Sequence, residues 1–368
     1  MAGVNVIGYG RAESGLGQAC RLGAAALQSV GMPFCVINQA HTFSRKRDFT
    51  LAECEATRPI YDTNLVYLNA AQLLETHKWR RSFRKTMEGR RNIGYWHWEL
   101  QEFPDEWTGA FDLLDEVWVP SDFTLRSVSE KAAVPVVEMP HAVSLQVPGH
   151  SVLEQLGLPR NRFLFLTMFE TLSLGERKNP YAVISAFQRA FRNDDQSVGL
   201  IVKMNAPKQK HGEAEAIKQA IRGYENIYLV DEILNRSEVN GLLNETDSYV
   251  SLHRSEGFGL PIAEAMYLGK PAIVTNWSGN TDFIESGNSC PVNFRLIRVG
   301  EDHGPYGARQ VWADPDIEEA AEWMKKLATQ ATFCRSIGKK AKETMVSRFS
   351  PETIGRRMVR RINEIQAK

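Results

Sequence analysis

Residues 251–282, SLHRSEGFGLPIAEAMYLGKPAIVTNWSGNTD, decide the fold of the second half of the chain. An apolar, β-branched run ends at Leu252, a glycine turn follows at 257–259, and an apolar helical run begins at Leu260. The predicted order is a buried strand, a tight turn and the start of a helix. Such a turn brings the first N–H groups of the helix and the positive end of its dipole to one point, which suits a phosphate.

Two glutamates, Glu256 and Glu264, stand eight positions apart in this segment. Eight residues are a little over two helical turns, so both carboxylates can lie along one side of a site. Glu256 sits beside the turn, within reach of a sugar. Glu264 sits deeper, where it can accept hydrogen bonds from ribose hydroxyls.

The segment resembles the donor-binding motif of the family 4 retaining glycosyltransferases. The matching residues are Glu-Gly-Phe-Gly-Leu-Pro at 256–261, the glutamate at 264, and Ala-Met-x-x-Gly-Lys-Pro at 265–271 with an apolar strand after it. The resemblance implies an α/β chain of the GT-B fold, with two Rossmann-like doubly wound domains facing a central cleft. It also implies a nucleotide-sugar donor, retention of anomeric configuration, and no metal or cofactor. The lack of a clear DxD-type acidic pair agrees with the expected absence of a metal.

Length and composition exclude several classes of protein. A chain of 368 residues predicts two domains, and its formal net charge of zero gives no reason to expect nucleic acid as a partner. The five cysteines are scattered and form no CxxC pair, which argues against a disulfide framework or a structural zinc site. No signal peptide or membrane-length apolar run is visible, so we expect a cytoplasmic protein.

Strand and helix patterns alternate through both halves of the chain. The prolines of 140–159 favour a domain boundary near residue 150. We therefore predict an acceptor-binding domain at 1–150 and a nucleotide-sugar donor domain at 151–348. An amphipathic, basic helix at 349–368 is expected to pack back on the first domain.

The resemblance also assigns candidate roles within the donor domain. Glu256 is expected to act in catalysis by holding donor-sugar hydroxyls, and Glu264 to hold the ribose. Lys178 matches the family's phosphate-binding lysine, but Glu170 stands where many members carry an arginine, so Arg177 or Lys203 would supply the second cation. The other expected donor-binding residues are Gly257, Phe258, Gly259, Leu260 and Asn280.

Two segments of the first domain carry further candidates. In the loop at 10–17, Gly15 and Gly17 are expected to approach the donor and Arg11 the acceptor, although a loop that only packs a helix is the alternative. Its glycine spacing does not fit a dinucleotide-binding GxGxxG. In the aromatic cluster at 93–100, His97 is either a catalytic cleft histidine or a core histidine, and Trp96 and Glu99 are candidate acceptor contacts.

A basic stretch at 78–91, KWRRSFRKTMEGRR, holds seven basic residues and one acid with aromatic residues between them. A solvated helix face is the usual interpretation, but the pattern also suits peripheral contact with an anionic membrane. The expected substrates are a nucleotide sugar and a glycan or lipid-linked glycan. Asp231 and Glu232 could accept from guanine, which hints at GDP-mannose, but UDP-sugars are an equal alternative.

Two other classes stay open at this point. One is a nucleotide-sugar epimerase or a sugar phosphorylase built on the same fold. The other is a catalytically silent homologue that binds sugar as a partner subunit, although the presence of both glutamates argues against it.

Overall fold

The structure, a computed structural model, describes residues 3–42, 44–170, 174–205 and 211–367. Contacts among them form two compact units. The first extends to Ser144 and includes the chain from Ser347 onward, and the second is Leu145–Val346. Each unit contains a parallel six-stranded sheet in its described residues, and helices follow most of the strands. The predicted α/β class with two doubly wound domains is confirmed.

The sheet of the first unit has the strand order β2-β1-β3-β4-β5-β6, with every neighbouring pair parallel. Its strands are β1 (Val4–Gly8), β2 (Phe34–Asn38), β3 (Thr63–Tyr67), β4 (Arg91–Tyr95), β5 (Glu116–Val119) and β6 (Val136–Glu138). The helices between them are α1 (Gly15–Ser29), α2 (Ala70–Trp79), α3 (Arg81–Met87) and α4 (Asp122–Ser129).

The sheet of the second unit has the order β12-β11-β10-β7-β8-β9, also parallel. Its strands are β7 (Phe163–Glu170), β8 (Val198–Asn205), β9 (Ile227–Val230), β10 (Ser248–Ser251), β11 (Ala272–Thr275) and β12 (Cys290–Val292). The α-helices are α5 (Val152–Gln155), α6 (Gly175–Lys178), α7 (Pro180–Ala190), α8 (His211–Ala220), α9 (Arg236–Glu245), α10 (Leu260–Tyr267), α11 (Ile317–Thr329) and α12 (Ala331–Phe349).

An antiparallel hairpin stands apart from the second sheet. It pairs β13 (Phe294–Arg298) with β14 (Val311–Pro315). The loop at its tip brings Tyr306 against Arg177, with the guanidinium 5.8 Å from the ring centroid. The sequence analysis did not predict this hairpin. None of the described helices is long and apolar enough to cross a membrane.

The last helix, α13 (Pro351–Gln366), belongs to the first unit and packs against α1. Ser350 caps its first turn, and Pro351 occupies the first helical position, where an N–H would have no acceptor within the helix. Its buried residues recur every three or four positions, as a helix with one apolar face requires: Ile354, Met358, Ile362 and Ile365. Gly355 allows the close approach, because a Cβ there would lie 2.2 Å from the Ala26 carbonyl oxygen.

One ion pair ties this helix to the sheet beneath it. The buried carboxylate of Glu116 on β5 accepts from Arg361 of α13, 2.5 Å away, and from the indole N–H of Trp118 at 2.7 Å. The carboxylate side chain is 3% exposed. Removing Arg361 would therefore leave a buried charge without its cation, which is among the costliest single changes in a protein.

We expect Arg361→Leu to lower the free energy of unfolding by about 3 kcal/mol. The double variant Arg361→Leu/Glu116→Gln should recover much of this loss, since Gln can still accept from Trp118 without carrying charge. Urea unfolding measures both, with Arg360→Leu, at an exposed neighbour, as the control. Equal losses in the single and double variants would show that packing, not the charge, dominates.

Candidate active site

The candidate site lies where the strand order of the second sheet reverses. Strands β7 and β10 are neighbours there, although more than 75 residues separate them, and open α/β sheets bind ligands outside the carboxyl ends of such a strand pair. The chain leaving β7 leads to α6, which carries Arg177 and Lys178. The chain leaving β10 leads to Glu256 and α10. The topology therefore brings both predicted motifs to one edge of the sheet.

The glycine turn at 257–259 is shaped by backbone conformation and by close packing. Gly259 has φ +88°, a left-handed value that favours glycine, and it stands at the N-cap of α10. The backbone N–H of Glu256 donates to the Ser278 hydroxyl at 2.8 Å, and that of Gly279 donates to the Glu256 carbonyl at 2.9 Å. The segment that begins at Ser278 therefore fixes the position of Glu256.

Gly279→Ala is expected to displace this turn. A Cβ at position 279 would lie 2.3 Å from the carbonyl oxygen of Gly257, and backbone cannot swing aside as a flexible side chain can. We expect weaker nucleotide binding and a stability loss of about 1–3 kcal/mol. Calorimetric titration and thermal unfolding measure the two effects. Gly149→Ala is the control, because nothing lies within 4 Å of its added carbon; equal behaviour of the two variants would contradict the packing argument.

Two cations hold the carboxylate of Glu256. Lys178 Nζ lies 2.5 Å from Oε1, and Arg177 Nη1 lies 3.4 Å from Oε2 while it donates to the Ser255 carbonyl at 2.8 Å. The Glu256 side chain is 12% exposed and that of Arg177 is 5% exposed. One carboxylate and two cations leave a net positive charge beside the N-terminus of α10, which favours an anionic ligand.

The charges around Glu256 also set its protonation. Burial alone would raise its pKa, but Lys178 and then Arg177 outweigh burial and lower the pKa to about 2. A carboxyl with a lowered folded pKa stabilises the fold above its unfolded value, and that contribution is lost as the pH falls through the folded value. The window here runs from the ordinary pKa near 4.5 down to about 2, so Glu256 is ionised at neutral pH.

The structure favours Arg177 over Lys203 as the second cation at Glu256. Lys203, at the end of β8, is buried and donates to the Met204 carbonyl at 3.0 Å and to Asn205 Oδ1 at 2.5 Å. Burial lowers its pKa to about 8, against the opposing influence of nearby carboxylates. Lys203 therefore lies on the neighbouring strand with its amine directed to the last two residues of that strand, and its contact with donor stays a prediction.

The second glutamate has a partner that the sequence analysis missed. Glu264, with a side chain 3% exposed, accepts a hydrogen bond from Arg236 at the start of α9. A capping box formed by Asn235 and Glu238 begins that helix. The capping-box pattern was readable in the sequence, but the spacing gave no sign that Arg236 reaches Glu264. A ribose hydroxyl that binds Glu264 would meet this guanidinium as well.

Asn280, a predicted donor-binding residue, hydrogen-bonds within the second unit. The residue is fully buried. Its amide nitrogen donates to the Thr275 carbonyl at 2.9 Å, and its Oδ1 lies 2.9 Å from Nε2 of the buried His253. Both ends of the amide are thus used within the fold, and a contact of Asn280 with donor stays a prediction.

In the loop at 10–17 of the first unit, Gly17 and Arg11 each have contacts within the fold. A Cβ at Gly17 would lie 2.1 Å from the Ala12 carbonyl oxygen, so this glycine lets α1 pack against its own loop. Gly15 has open space around it. Arg11 donates to Glu55 through two nitrogens, at 2.7 and 2.6 Å, and its side chain stays 39% exposed. Ligand contacts of these three residues stay predictions.

The aromatic cluster after β4 divides into core and candidate residues. Trp96 is fully buried and packs against Phe103 and Phe111, and its contact with an acceptor stays a prediction. Glu99 is half-buried and keeps its predicted role as a candidate. His97 is half-buried, and both of its ring nitrogens face protein groups, Asn69 and His141.

Comparison with known proteins identifies the sequence pattern of the second unit. The family model described as "Glycosyl transferases group 1" matches residues 165–344, just under half of the chain. That range holds both motifs assembled above. Among curated proteins, none matches this sequence significantly.

Solved structures resemble the chain over most of its length. Sucrose-phosphate synthase from Thermosynechococcus elongatus is 14% identical with a TM-score of 0.70, each chain being covered in full. Anabaena HepE, solved with UDP and glucose, is 13% identical with a TM-score of 0.68, covering 99% of this chain and 100% of its own.

A third similar structure belongs to a longer protein. S. aureus TarM, in complex with fondaparinux, alpha-GlcNAc-glycerol and UDP, is 16% identical with a TM-score of 0.56. The alignment covers 79% of this chain and 53% of TarM, so the chain spans about half the length of that protein. Together the comparisons show a GT-B fold, and residues 165–344 match the family model described as "Glycosyl transferases group 1".

Proposed function

We propose that the chain is a retaining glycosyltransferase that moves a hexose from a nucleoside diphosphate donor to a hydroxyl of a glycan or lipid-linked glycan. The observation that carries the proposal is the group formed by Glu256, Lys178 and Arg177 at the strand reversal of the second sheet. Its net positive charge and the adjacent helix N-terminus suit a diphosphate, and its carboxylate suits sugar hydroxyls.

The same group suits the chemistry of transfer. As the bond between the anomeric carbon and the phosphate oxygen breaks, negative charge grows on the leaving diphosphate, and Lys178 and Arg177 stabilise that charge more than they stabilise the bound donor. The acceptor oxygen forms its bond on the face the diphosphate leaves. The acceptor hydroxyl gives its proton to a departing phosphate oxygen, so no protein nucleophile is needed.

The base of the donor is proposed to be uracil or guanine. The UDP complexes of HepE and TarM support the first, while Asp231 and Glu232, exposed after β9, support the second through acceptors for guanine N–H groups. Glu264 with Arg236 is the proposed ribose site for either nucleotide. We also propose that transfer needs no metal and no cofactor.

Release of nucleoside diphosphate tests this function. Purified chain is incubated with UDP-, GDP-, ADP- and dTDP-sugars in EDTA, with and without an acceptor panel of glycans and lipid-linked glycans. We expect release from one donor that rises with one acceptor, and a proton NMR signal showing the donor's anomeric configuration in the product. Conversion without acceptor would indicate an epimerase, and dependence on inorganic phosphate a phosphorylase. Donor binding without turnover would indicate a silent homologue.

We also propose peripheral contact with an anionic membrane through residues 78–91, which would serve a lipid-linked acceptor. This segment forms the end of α2 and all of α3. Trp79 is 72% exposed with the Lys78 ammonium 5.0 Å from its ring, whereas Phe83 faces the core. A basic surface with an exposed tryptophan suits anionic headgroups and the interfacial zone beneath them.

Vesicle flotation tests the membrane contact. We expect the chain to float with vesicles of phosphatidylglycerol and phosphatidylcholine at low salt and not with phosphatidylcholine alone. Trp79→Ala combined with Lys85→Glu should weaken flotation severalfold, because each basic residue near an anionic surface contributes about 1 kcal/mol. Equal flotation of variant and parent would contradict the assignment of this surface.

A further inference from the structure

A series of polar side chains in contact links His97 to the buried core of the first unit. Nε2 of His97 lies 2.8 Å from Nε2 of His141, and the two imidazole rings meet edge to edge, with centroids 5.0 Å apart and planes 17° apart. Nδ1 of His141 lies 3.2 Å from the hydroxyl oxygen of Tyr95. At the other end, Nδ1 of His97 lies 3.3 Å from Oδ1 of Asn69.

The hydrogen bonds made by Tyr95 and His141 determine which ring nitrogens carry protons. The Tyr95 hydroxyl donates to the Met139 carbonyl at 2.6 Å, a shorter contact than the one to His141, so towards His141 the hydroxyl oxygen accepts. His141 therefore carries its proton on Nδ1 and presents a lone pair at Nε2. The bond between the rings then requires a proton on Nε2 of His97.

One contact in this arrangement is left without a proton. The backbone N–H of His97 donates to Oδ1 of Asn69 at 2.9 Å, which identifies that atom as the amide oxygen. With Nε2 protonated, a neutral His97 turns the lone pair of Nδ1 towards the same oxygen. Moving the protons to Nδ1 of His97 and Nε2 of His141 would give this contact a hydrogen bond. The Tyr95 hydroxyl would then have to donate to His141 instead of to the Met139 carbonyl.

Both rings are neutral at physiological pH. Burial lowers the pKa of His97 to about 4, with Glu99 opposing it only in part. Burial also lowers the pKa of His141 well below its ordinary value, and His97 adds to that effect. Tyr95 is buried too, and burial raises its pKa further above the neutral range. The proton positions therefore follow from the hydrogen bonds.

We propose that His141 is a positioning residue that holds His97 as the Nε2–H tautomer, with a lone pair at Nδ1 that faces Oδ1 of Asn69. His97 lies just beyond β4, and Asn69 just beyond β3, at the carboxyl edge of the first sheet, where doubly wound sheets bind ligands. In this state Nδ1 of His97 can accept from a ligand only where the ligand takes the place of Asn69, and it offers no N–H. The tautomer of His97 does not depend on the proposed function, whereas the expected effect of His141 on kcat rests on it.

Nitrogen-15 NMR of the imidazoles of the full chain tests the proposal directly. The chain has eight histidines, and His97→Gln and His141→Gln assign the two signals. At pH 7 we expect the proton of His97 on Nε2 and that of His141 on Nδ1. Finding the proton of His97 on Nδ1, or averaging between both nitrogens, would overturn the proposal whether or not the chain transfers sugar.

A double-mutant cycle tests the kinetic consequence. His141→Phe keeps a planar ring but removes both nitrogens, and we expect it to lower kcat about tenfold or more, with no further loss when His97→Phe is already present. Losses that multiply would show that His141 acts independently of His97 and would overturn its positioning role. His150→Phe, at an exposed histidine, is the control. If no sugar transfer occurs in the parent, the proposed function fails, and the NMR result still decides the tautomer.

Discussion

Glu256→Gln is expected to lower kcat about 10³-fold with a small change in donor KM. Gln can still accept a hydrogen bond from a sugar hydroxyl, but it carries no charge. Lys178 and Arg177 would lose the carboxylate that holds them 2.5 and 3.4 Å away. Cations that move from their aligned positions stabilise the leaving diphosphate less, and removing one preorganised electrostatic contact costs about 10²–10³ in rate.

The control for this variant is Glu225→Gln, at an exposed glutamate of the same unit. Initial rates at saturating donor separate kcat from KM, and thermal unfolding checks that the variant folds. Activity within about threefold of the parent would remove Glu256 from the catalytic group. It would leave only a structural role for the short Lys178 contact.

Lys178→Met is the second change with a large expected effect. We expect kcat to fall about 10²-fold, because one of two cations beside the leaving group is lost. The pH profile should change as well. Burial is the largest influence on Glu256 and raises its pKa, while Lys178 is the largest influence that lowers it. Without Lys178 the pKa of Glu256 rises from about 2, so the acidic limb of the rate profile should move to higher pH.

Lys339→Met is the matched control, since that lysine is exposed and lies on α12 of the same unit. Rates measured from about pH 2 to 9 locate the acidic limb of each protein, since the pKa of Glu256 in the parent is about 2. An unmoved limb in Lys178→Met would show that Glu256 does not titrate in that limb. A rate equal to that of the control would show that the diphosphate lies elsewhere.

Most of the fold was predictable because parallel strands buried on both faces appear as apolar runs. Strand β10 and the start of α10 at Leu260 lie where the sequence predicted a buried strand and a helix on either side of the glycine turn. The hairpin of β13 and β14 was missed because it lies outside the six-stranded sheet. Its first strand, Phe294–Arg298, is partly or fully exposed along its length, so it shows no buried apolar face.

The candidate site was predictable where one local motif carries the chemistry. The glycine turn specifies its own backbone shape, so Glu256 and the start of α10 followed from spacing alone. Contacts between distant segments were not predictable. The contact of Arg236 with Glu264 joins two helices, and the pairing of His97 with His141 joins the ends of two strands 44 positions apart. The burial of Trp96 and Asn280 likewise depends on tertiary packing that no local pattern encodes.

Thermal unfolding with nucleoside diphosphates tests the central claim most directly. The parent and Lys178→Met are each unfolded with UDP, GDP, ADP and dTDP in EDTA. We expect one diphosphate to raise the Tm of the parent. At a concentration a hundred times its Kd, the diphosphate should add about 2.7 kcal/mol to the free energy of unfolding. Lys178→Met should lose most of this shift in Tm. No shift with any diphosphate, or an equal shift in both proteins, would contradict a diphosphate site formed by Lys178, Arg177 and Glu256.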